Sequence, residues 1–320
     1  MDVAVIGGTG VLGQPVVAEL LERGDTVRIV SRSTPVPGSA AAALLERGAQ
    51  HRAADIRDGD ALAAALQGVE TVVDASNDQR AARELLVEGN RRLLATEAAA
   101  GVAHHVAISI VGCDQVPLGY YRAKVEQEQV VAGGPVPWSL LRATQFHQLI
   151  DYLFTAFARM RMLPSGAARV QPIDPAVVAA HLADAVHAGP SGRRPEIGGP
   201  RVQTLGELAT SWREAHGRRL PKAPLPLPPK LGRPLRAGAL CTGAAATGTP
   251  DFAQWLARAG ERAAGAGGGE SVSEASGAAR ADAARDDAAR DDAARDAGTR
   301  RAGARAANTL HGDVKESVSR

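Results

Sequence analysis

Val3-Ala4-Val5-Ile6-Gly7-Gly8-Thr9-Gly10-Val11-Leu12-Gly13 is the stretch on which the reading of this chain turns. A short β-rich run enters a glycine turn. The turn opens a segment, Val11 to Arg23, with helical spacing: Val16, Val17, Leu20 and Leu21 share one side, and Gly24 stops it. A strand that feeds a helix through spaced glycines is the context in which such a turn takes the diphosphate of a dinucleotide. Gly7 permits the tight turn, Gly10 leaves room for a diphosphate beside the backbone, and Gly13 lets the helix pack on the strand. The N–H groups around Thr9, Val11 and Leu12, with the positive end of the helix, then favour the anion.

Outward from this turn, strand and helix signals alternate. Thr26 to Val30 reads as a strand, Ser39 to Arg47 as a helix stopped by Gly48, and Gln50 to Ala54 as a weak strand. Asp58 to Leu66 is helical, Val69 to Val73 a fourth strand, and Arg80 to Ala100 one long helix ended by Gly101. A fifth strand lies within Val102 to Ile110, a helix spans Tyr120 to Val131, and Trp138 to Leu141 is a sixth strand. Strands separated by helices of this length run parallel with right-handed crossovers. The expectation is a doubly wound α/β sheet over residues 1–145. Beyond Thr144 the pattern loosens. Helices are expected from Gln145 to Met162, from Val177 to Val186 behind Asp174-Pro175, and from Leu205 to Ala215 with Thr204 as cap. Pro221 to Pro229 reads as loop or polyproline II, and Phe252 to Ala257 as a short last helix. These pieces, residues 146–258, look too few for a core of their own and are expected to form a small substrate-binding cap over the carboxyl edge of the sheet.

Composition sets the outer bounds. The chain has 320 residues, 45% of them hydrophobic and 22% charged, an ordinary balance for a soluble enzyme. Aromatics make up only 3%, so the core is expected to be aliphatic. A formal charge of +2 gives no case for nucleic acid or an anionic membrane. No apolar run approaches the ~20 residues that span a bilayer. Cys113 and Cys241 cannot build a disulfide framework and lack metal-ligand spacing. A cytoplasmic protein without a metal is the expectation. From about residue 259 the composition shifts, and no Phe, Trp, Tyr or Ile occurs after Gly260. The unit Ala-Ala-Arg-Asp-Asp occurs at 283–287 and again at 288–292, a period that builds no apolar stripe. Residues 259–320 are expected to be a low-complexity, disordered tail.

The second strand ends in Val30-Ser31-Arg32-Ser33, about 20 residues beyond the glycines, where an acid would hold the ribose hydroxyls of NAD. Here an arginine flanked by serines stands instead. Arg32 can fork onto a 2′-phosphate, with Ser31 and Ser33 donating to the same group, which points to NADP, NAD remaining open. Asp55-Ile56 after the third strand can edge the adenine, and Ala75-Ser76-Asn77 after the fourth can line the ribose side.

These features resemble the NmrA-like atypical short-chain dehydrogenase/reductases over about residues 1–258. The glycine run, Ser31-Arg32, Asp55, Asn90, Ser109-Ile110-Val111-Gly112, Tyr120-Tyr121-Arg122-Ala123-Lys124 and Arg142-Ala143-Thr144-Gln145-Phe146 occur in the order seen in that group. The resemblance implies a Rossmann fold, NAD(P) binding and a small C-terminal cap. The group divides between reductases and redox-sensing regulators that bind the cofactor without turnover. Tyr120 and Lys124 stand four apart on one helical face, matching the Tyr-x-x-x-Lys pair of short-chain dehydrogenases. Lysine there can lower the phenol's pKa and bond the nicotinamide ribose. Ser109, at the end of the fifth strand, can polarise a carbonyl. Tyr121, offset by about 100°, is the alternative to Tyr120 in facing the site. The loop after the sixth strand passes the nicotinamide at Thr144, with Phe146 walling the substrate pocket and His147 beside it. Cys113 has no recognisable base and reads as a bystander. The chain is thus expected to move hydride between NADP(H) and a small carbonyl, enone or quinone. The alternative is a non-catalytic NAD(P) sensor working through a protein partner or as a homodimer. A sugar-nucleotide epimerase fits less well, because the cap is small.

Overall fold

The computed structural model describes residues 1–265; the tail expected from 259 lies, past 265, outside the described residues. The elements run β1 (Asp2–Ile6), α1 (Gly13–Glu22), β2 (Thr26–Ser31), α2 (Ala40–Glu46), β3 (Gln50–Ala53), α3 (Gly59–Leu66), β4 (Thr71–Asp74), a π-helical turn (Glu84–Gly89), α4 (Asn90–Ala100), β5 (His104–Ile110), α5 (Gly119–Ala132) and β6 (Trp138–Ala143). They continue as α6 (His147–Arg159), β7 (Leu163–Ser165), β8 (Arg169–Val170), α7 (Pro175–Ala188), β9 (Gly192–Arg193), β10 (Gln203–Thr204), α8 (Leu205–Ala215), β11 (Lys222–Pro224), α9 (Pro229–Ala237) and α10 (Phe252–Gly265).

Seven strands form one parallel sheet in the order β3-β2-β1-β4-β5-β6-β9. The order reverses between β1 and β4, which opens a crevice at their carboxyl ends. Both faces of the sheet's middle are buried, so its inner strands are apolar on both sides, while the edge strands β3 and β9 stay polar and largely exposed. Val3, Val5, Ile29 and Val106 pack with Val16, Val17 and Leu20 of α1 and with Val178 and Leu182 of α7. Ala4, Ile6, Val72 and Ala107 pack the other way, onto Leu62 and Leu66 of α3 and Leu93 of α4. Helix α7 therefore belongs to the sheet's own layer rather than to the cap.

Several elements depart from the sequence reading, among them β11, a strand paired with β7 inside the segment 221–229 read as loop or polyproline II. The edge strand β9 pairs only Gly192 and Arg193 with Ser139 and Leu140, too short to carry a periodic signal. The helix expected over 80–100 is broken by the π-helical turn, at whose end buried Gly89 sits so close to Ile56 that a Cβ there would lie 3.1 Å from its methyl. Helix α9 stands just past the proline-rich loop. Pro229 is tolerated at its first position, and Gly238 closes it at φ +84°. The cap also has a core of its own. The scarce aromatics are concentrated there: Phe154, Trp212, Phe252 and Trp255 bury against Leu163, Leu205 and Leu208. The sheet is filled with Val, Leu, Ile and Ala, so the chain's few aromatics are left for the cap, where large rings fill a small core with few residues.

Gly13 is the tightest point in the glycine turn. A Cβ there would clash with the Gly7 carbonyl and come within 2.6 Å of Gly8 Cα. A Cβ on exposed Gly10 would meet only the Gly7 oxygen, at 3.2 Å. Gly13→Ala is therefore expected to cost about 1–3 kcal/mol of folding free energy in urea denaturation. Gly10→Ala should stay within about 0.5 kcal/mol of the parent. Equal stability of the two variants would contradict this account of the turn.

Candidate functional site

The glycine turn is held by short backbone bonds. Gly7, at φ +72°, donates to Val30 O at 2.9 Å, Gly10 donates to Gly7 O at 2.9 Å, and Gln14 Nε2 donates to Thr9 O at 2.7 Å. Ser39, Asp58, Asp174 and Thr204 each cap their helix with a side-chain oxygen. Helix α1, like α4, α5, α6 and α9, lacks such a cap: Leu12 offers no acceptor and the first turn holds no acid, and in α1 this open end adjoins the glycine turn. Its leading N–H groups and the positive end of its dipole are left for an external anion, which fits the diphosphate of a dinucleotide. Val11 is exposed at this end and Leu12 is buried beneath it.

At the end of β2, Ser31 Oγ donates to Ser33 O at 3.0 Å and lies 3.0 Å from His51 Nε2 on β3. This fixes the loop on which exposed Arg32 stands. Sequence reasoning missed His51, although pairing β2 with β3 places it opposite Ile29, two residues before Ser31. Burial draws the His51 imidazole below its ordinary value. Asp55 is forked onto Arg57, with a closest approach of 2.6 Å. Burial alone would raise its carboxyl, but Arg57 and Arg32 outweigh it and hold it below the ordinary range. Ile56 is buried against Gly89.

Asp74 at the end of β4 is wholly buried and accepts three hydrogen bonds: Ser76 N–H at 2.9 Å, Asn90 Nδ2 at 3.0 Å and Gln127 Nε2 at 3.2 Å. Gln127 turns its Oε1 to Lys124 Nζ at 3.0 Å, and Ile108 O accepts from the same ammonium at 3.4 Å. Lys124 is thereby buried and linked to Asp74 through one glutamine. Burial lowers its pKa, while Asp74, Cys113 and Glu128 oppose the shift. Two of its three donors are accounted for. Ala75 and Ser76 close against Gly7, so the turn and the β4 end meet at the sheet's switch point. Sequence reasoning missed Asp74 and Gln127. The available signals were an acid ending an apolar strand and a glutamine one turn beyond Lys124.

Tyr120 donates its phenol to Asn77 Oδ1 at 2.8 Å and rests on Ala82, Leu86 and Ala123. Tyr121 packs on it with ring centroids 5.7 Å apart. The expected lowering of the tyrosine pKa by lysine is reversed: burial raises both phenols, Tyr121 to about 12, and Lys124 bonds neither. Ser109 is buried too. Its Oγ lies 3.9 Å from Cys113 Sγ, whose thiol donates toward Glu128 at 3.7 Å. Glu128 accepts a fork from Arg142 and a further bond from Arg193. Those bonds and one from Ser109 overcome burial and hold its carboxyl down at about 2. Burial pushes the Cys113 thiol up, as suits an unreactive cysteine. Ser109 therefore faces this cluster rather than Tyr120.

In the loop after β6, Thr144 donates its hydroxyl to Gln171 O and accepts from Gly199 N–H at 3.2 Å, tying β6 to the cap. Phe146 caps α6, pairs with Ile173 and is half-buried against the sheet cluster. His147 corrects the sequence reading, which set it beside the substrate. It is fully buried in the cap, stacked on Phe252 and Trp255 at 5.9 and 5.5 Å, and its Nε2–H donates to Pro250 O at 3.2 Å. The apolar periodicity of α6 turns this position inward. Burial holds its imidazole down at about 4, against 6.5 in an open chain. The unfolded chain therefore takes up the proton first. Stability is intact above about pH 6.5 and is lost as pH falls toward 4. His147→Phe keeps the stacking and removes the proton site. It is expected to shrink the loss of unfolding free energy between about pH 7 and 4.5 by about 1–3 kcal/mol in urea titrations. His104, also held at about 4 by burial, leaves a residual slope. An undiminished loss in the variant would overturn the role given to His147.

Among the described residues no His, Cys, Asp or Glu cluster could hold a metal ion, and no helix is long and apolar enough to cross a membrane. Over 224 residues the chain is 30% identical to quinone oxidoreductase 2 of Escherichia coli, covering 68% of this chain and 76% of that protein. Over 121 residues it is 33% identical to a photosystem II assembly factor of Synechocystis, covering 37% and 36% of the two chains. The structure of the NADPH-dependent quinone oxidoreductase of Escherichia coli, complexed with NADPH, superposes with a TM-score of 0.63 at 24% identity, covering 80% of this chain and 99% of that one. This likeness confirms the Rossmann fold. Residues 7–186, from the glycine turn through α7, match the NAD(P)H-binding family, and the chain belongs to it.

Proposed function

We propose that the protein is an NADP(H)-dependent reductase of the NmrA-like group, acting on a small carbonyl, enone or quinone, with a quinone the leading candidate. The observation that carries the reading is the buried line from Asp74 through Gln127 to Lys124, set at the switch point beside an uncapped α1. The turn from Gly7 to Gly13 would hold the diphosphate through backbone N–H groups. Arg32, on a loop pinned by Ser31, would meet the 2′-phosphate, with Ser33 beside it. Ala75, Ser76 and Asn77 would line the ribose side, and Asp55-Ile56 the adenine edge. The third donor of Lys124 would go to the nicotinamide ribose. When bound, the nicotinamide supplies the hydride.

The chain's own part is orientation and the proton. Lys124 cannot swing away, because two of its donors are already bonded inside the fold. Burial keeps the proton on the Tyr120 phenol, which makes it a hydrogen-bond donor rather than a phenolate. It would donate to the substrate oxygen after releasing Asn77, with Tyr121 and Phe146 lining the pocket. The similarity to quinone oxidoreductase 2 supports the quinone class.

A second reading is a cofactor sensor without turnover. It is favoured by Ser109, which turns into the Glu128 cluster, and by the partial likeness to an assembly factor. The decisive experiment follows the reduced-nicotinamide absorbance with NADPH and a panel of quinones and aldehydes. Turnover is expected with at least one quinone. Tight NADPH binding with no turnover on any member of the panel would favour the sensor.

Two variants sharpen the assignment. Arg32→Ala is expected to weaken NADPH by about 1.5–3 kcal/mol in calorimetry and to leave NADH nearly unchanged. Equal affinity of the parent for both cofactors would sink the 2′-phosphate assignment. Tyr120→Phe is expected to lower kcat about 10²–10⁴-fold with NADPH affinity retained. Lys124→Ala should weaken the cofactor as well. Activity that survives Tyr120→Phe and falls with Tyr121→Phe would move the proton donor one residue along α5.

A further inference from the structure

A trench of about 770 Å³ runs between α5 and α9, and no residue of the glycine turn lines it. One wall is a single face of α5, where Arg122, Val125 and Glu126 recur at helical spacing. The other is the start of α9, where Lys230 and Arg233 project beside Pro234. The loop after β5 forms the base.

The charges in this trench are unequal in a specific way. Its two acids are matched from outside it: Asp114 bonds Arg142 at 3.0 Å, and Glu126 pairs with Arg83 at 3.3 Å. Its three cations, Arg122, Lys230 and Arg233, are exposed and make no side-chain hydrogen bond or ion pair with any described residue. Like charges gathered in a concave site with apolar walls focus a positive potential and raise the local concentration of anions. The volume lies in the range of small-molecule sites. Val116, Val125 and Pro234 give it apolar surface that a bare inorganic anion would not use. A second copy of the chain docking here about a two-fold axis would set these cations against their own images, a like-charge contact that is costly.

We propose that this trench binds an organic anion with a flat apolar body, such as an aryl sulfonate or carboxylate, its acid group held by Arg122, Lys230 and Arg233. The occupant would bridge α9 to the loop after β5. That loop is already in close contact with the segment behind α9, where Gly112 has no room for a Cβ beside the Ala239 carbonyl. The site is separate from the cofactor groove and does not depend on turnover.

The test is calorimetry of naphthalene-2-sulfonate, and of neutral naphthalene-2-sulfonamide, on the full-length protein with and without saturating NADPH. The sulfonate is expected to bind equally in both conditions, and the sulfonamide about tenfold more weakly or worse. A double variant carrying Lys230→Glu and Arg233→Glu should lose the sulfonate by more than about tenfold, while its melting temperature and NADPH affinity stay unchanged. Arg122→Gln, on the opposite wall, should weaken the sulfonate in the same direction and serves where the double variant is unstable. No binding, unchanged binding in these variants, or displacement by NADPH would overturn the proposal. So would a concentration-dependent dimer of the parent that the double variant abolishes.

Discussion

A buried carboxylate has to be satisfied completely, and Asp74 sets that demand where the sheet changes direction. Removing a charge from water costs several kcal/mol unless hydrogen bonds replace the lost solvent. Asp74 recovers it from three elements at once: the Ser76 backbone after β4, Asn90 at the start of α4, and Gln127 on α5. Each bond therefore has an architectural consequence. The Ser76 bond turns the chain against Gly7. The Asn90 bond fixes where α4 begins, immediately after the π-helical turn. The Gln127 bond holds the face of α5 that carries Lys124. A change at Asp74 would reach the cofactor turn, the helix behind it and the ammonium in the site together.

The parts of the fold legible in the sequence are those whose cause is local. Gly7 needs a positive φ, and Gly13 has no room for a Cβ, so the turn is written in residue type. The alternation of strand and helix follows from strands apolar on both faces and helices closed by Gly24, Gly48, Gly68 and Gly101. The departures have non-local causes. The π-helical turn exists because the chain must pass Ile56 at Gly89 and still place Asn90 under Asp74. Strand β9 exists because two residues find an open edge on β6. Helix α9 follows a proline run that reads as its opposite: Pro229 suits the helix start, and Pro234 stands inside the helix against the local preference.

The same division runs through the site. The glycine turn and Ser31-Arg32-Ser33 stand at the ends of sheet strands, and their positions follow from the topology. Side-chain roles did not transfer as simply. Tyr120 and Lys124 share a helix face as their spacing requires, but their partners come from elsewhere: Asn77 for the phenol, Gln127 and Ile108 for the ammonium. Helical spacing fixes which way a side chain leaves the helix; it does not fix what waits there. His147 shows the limit most clearly, since Phe252 and Trp255, more than a hundred residues on, decide that it is a core residue.

The separation of aliphatic sheet from aromatic cap has a functional reading of its own. The inner strands β1, β2, β4, β5 and β6 are sandwiched between helices by aliphatic side chains, many of them branched with few rotamers, which hold the strand ends in fixed positions. The cap instead gathers four large rings around α6, α8 and α10 and is joined to the sheet by polar links such as Thr144 to Gln171 and Gly199, and Gln145 to Leu240. Polar links of this kind fix direction while contributing little area, so the cap's aromatic core can change its lining without disturbing the nucleotide half.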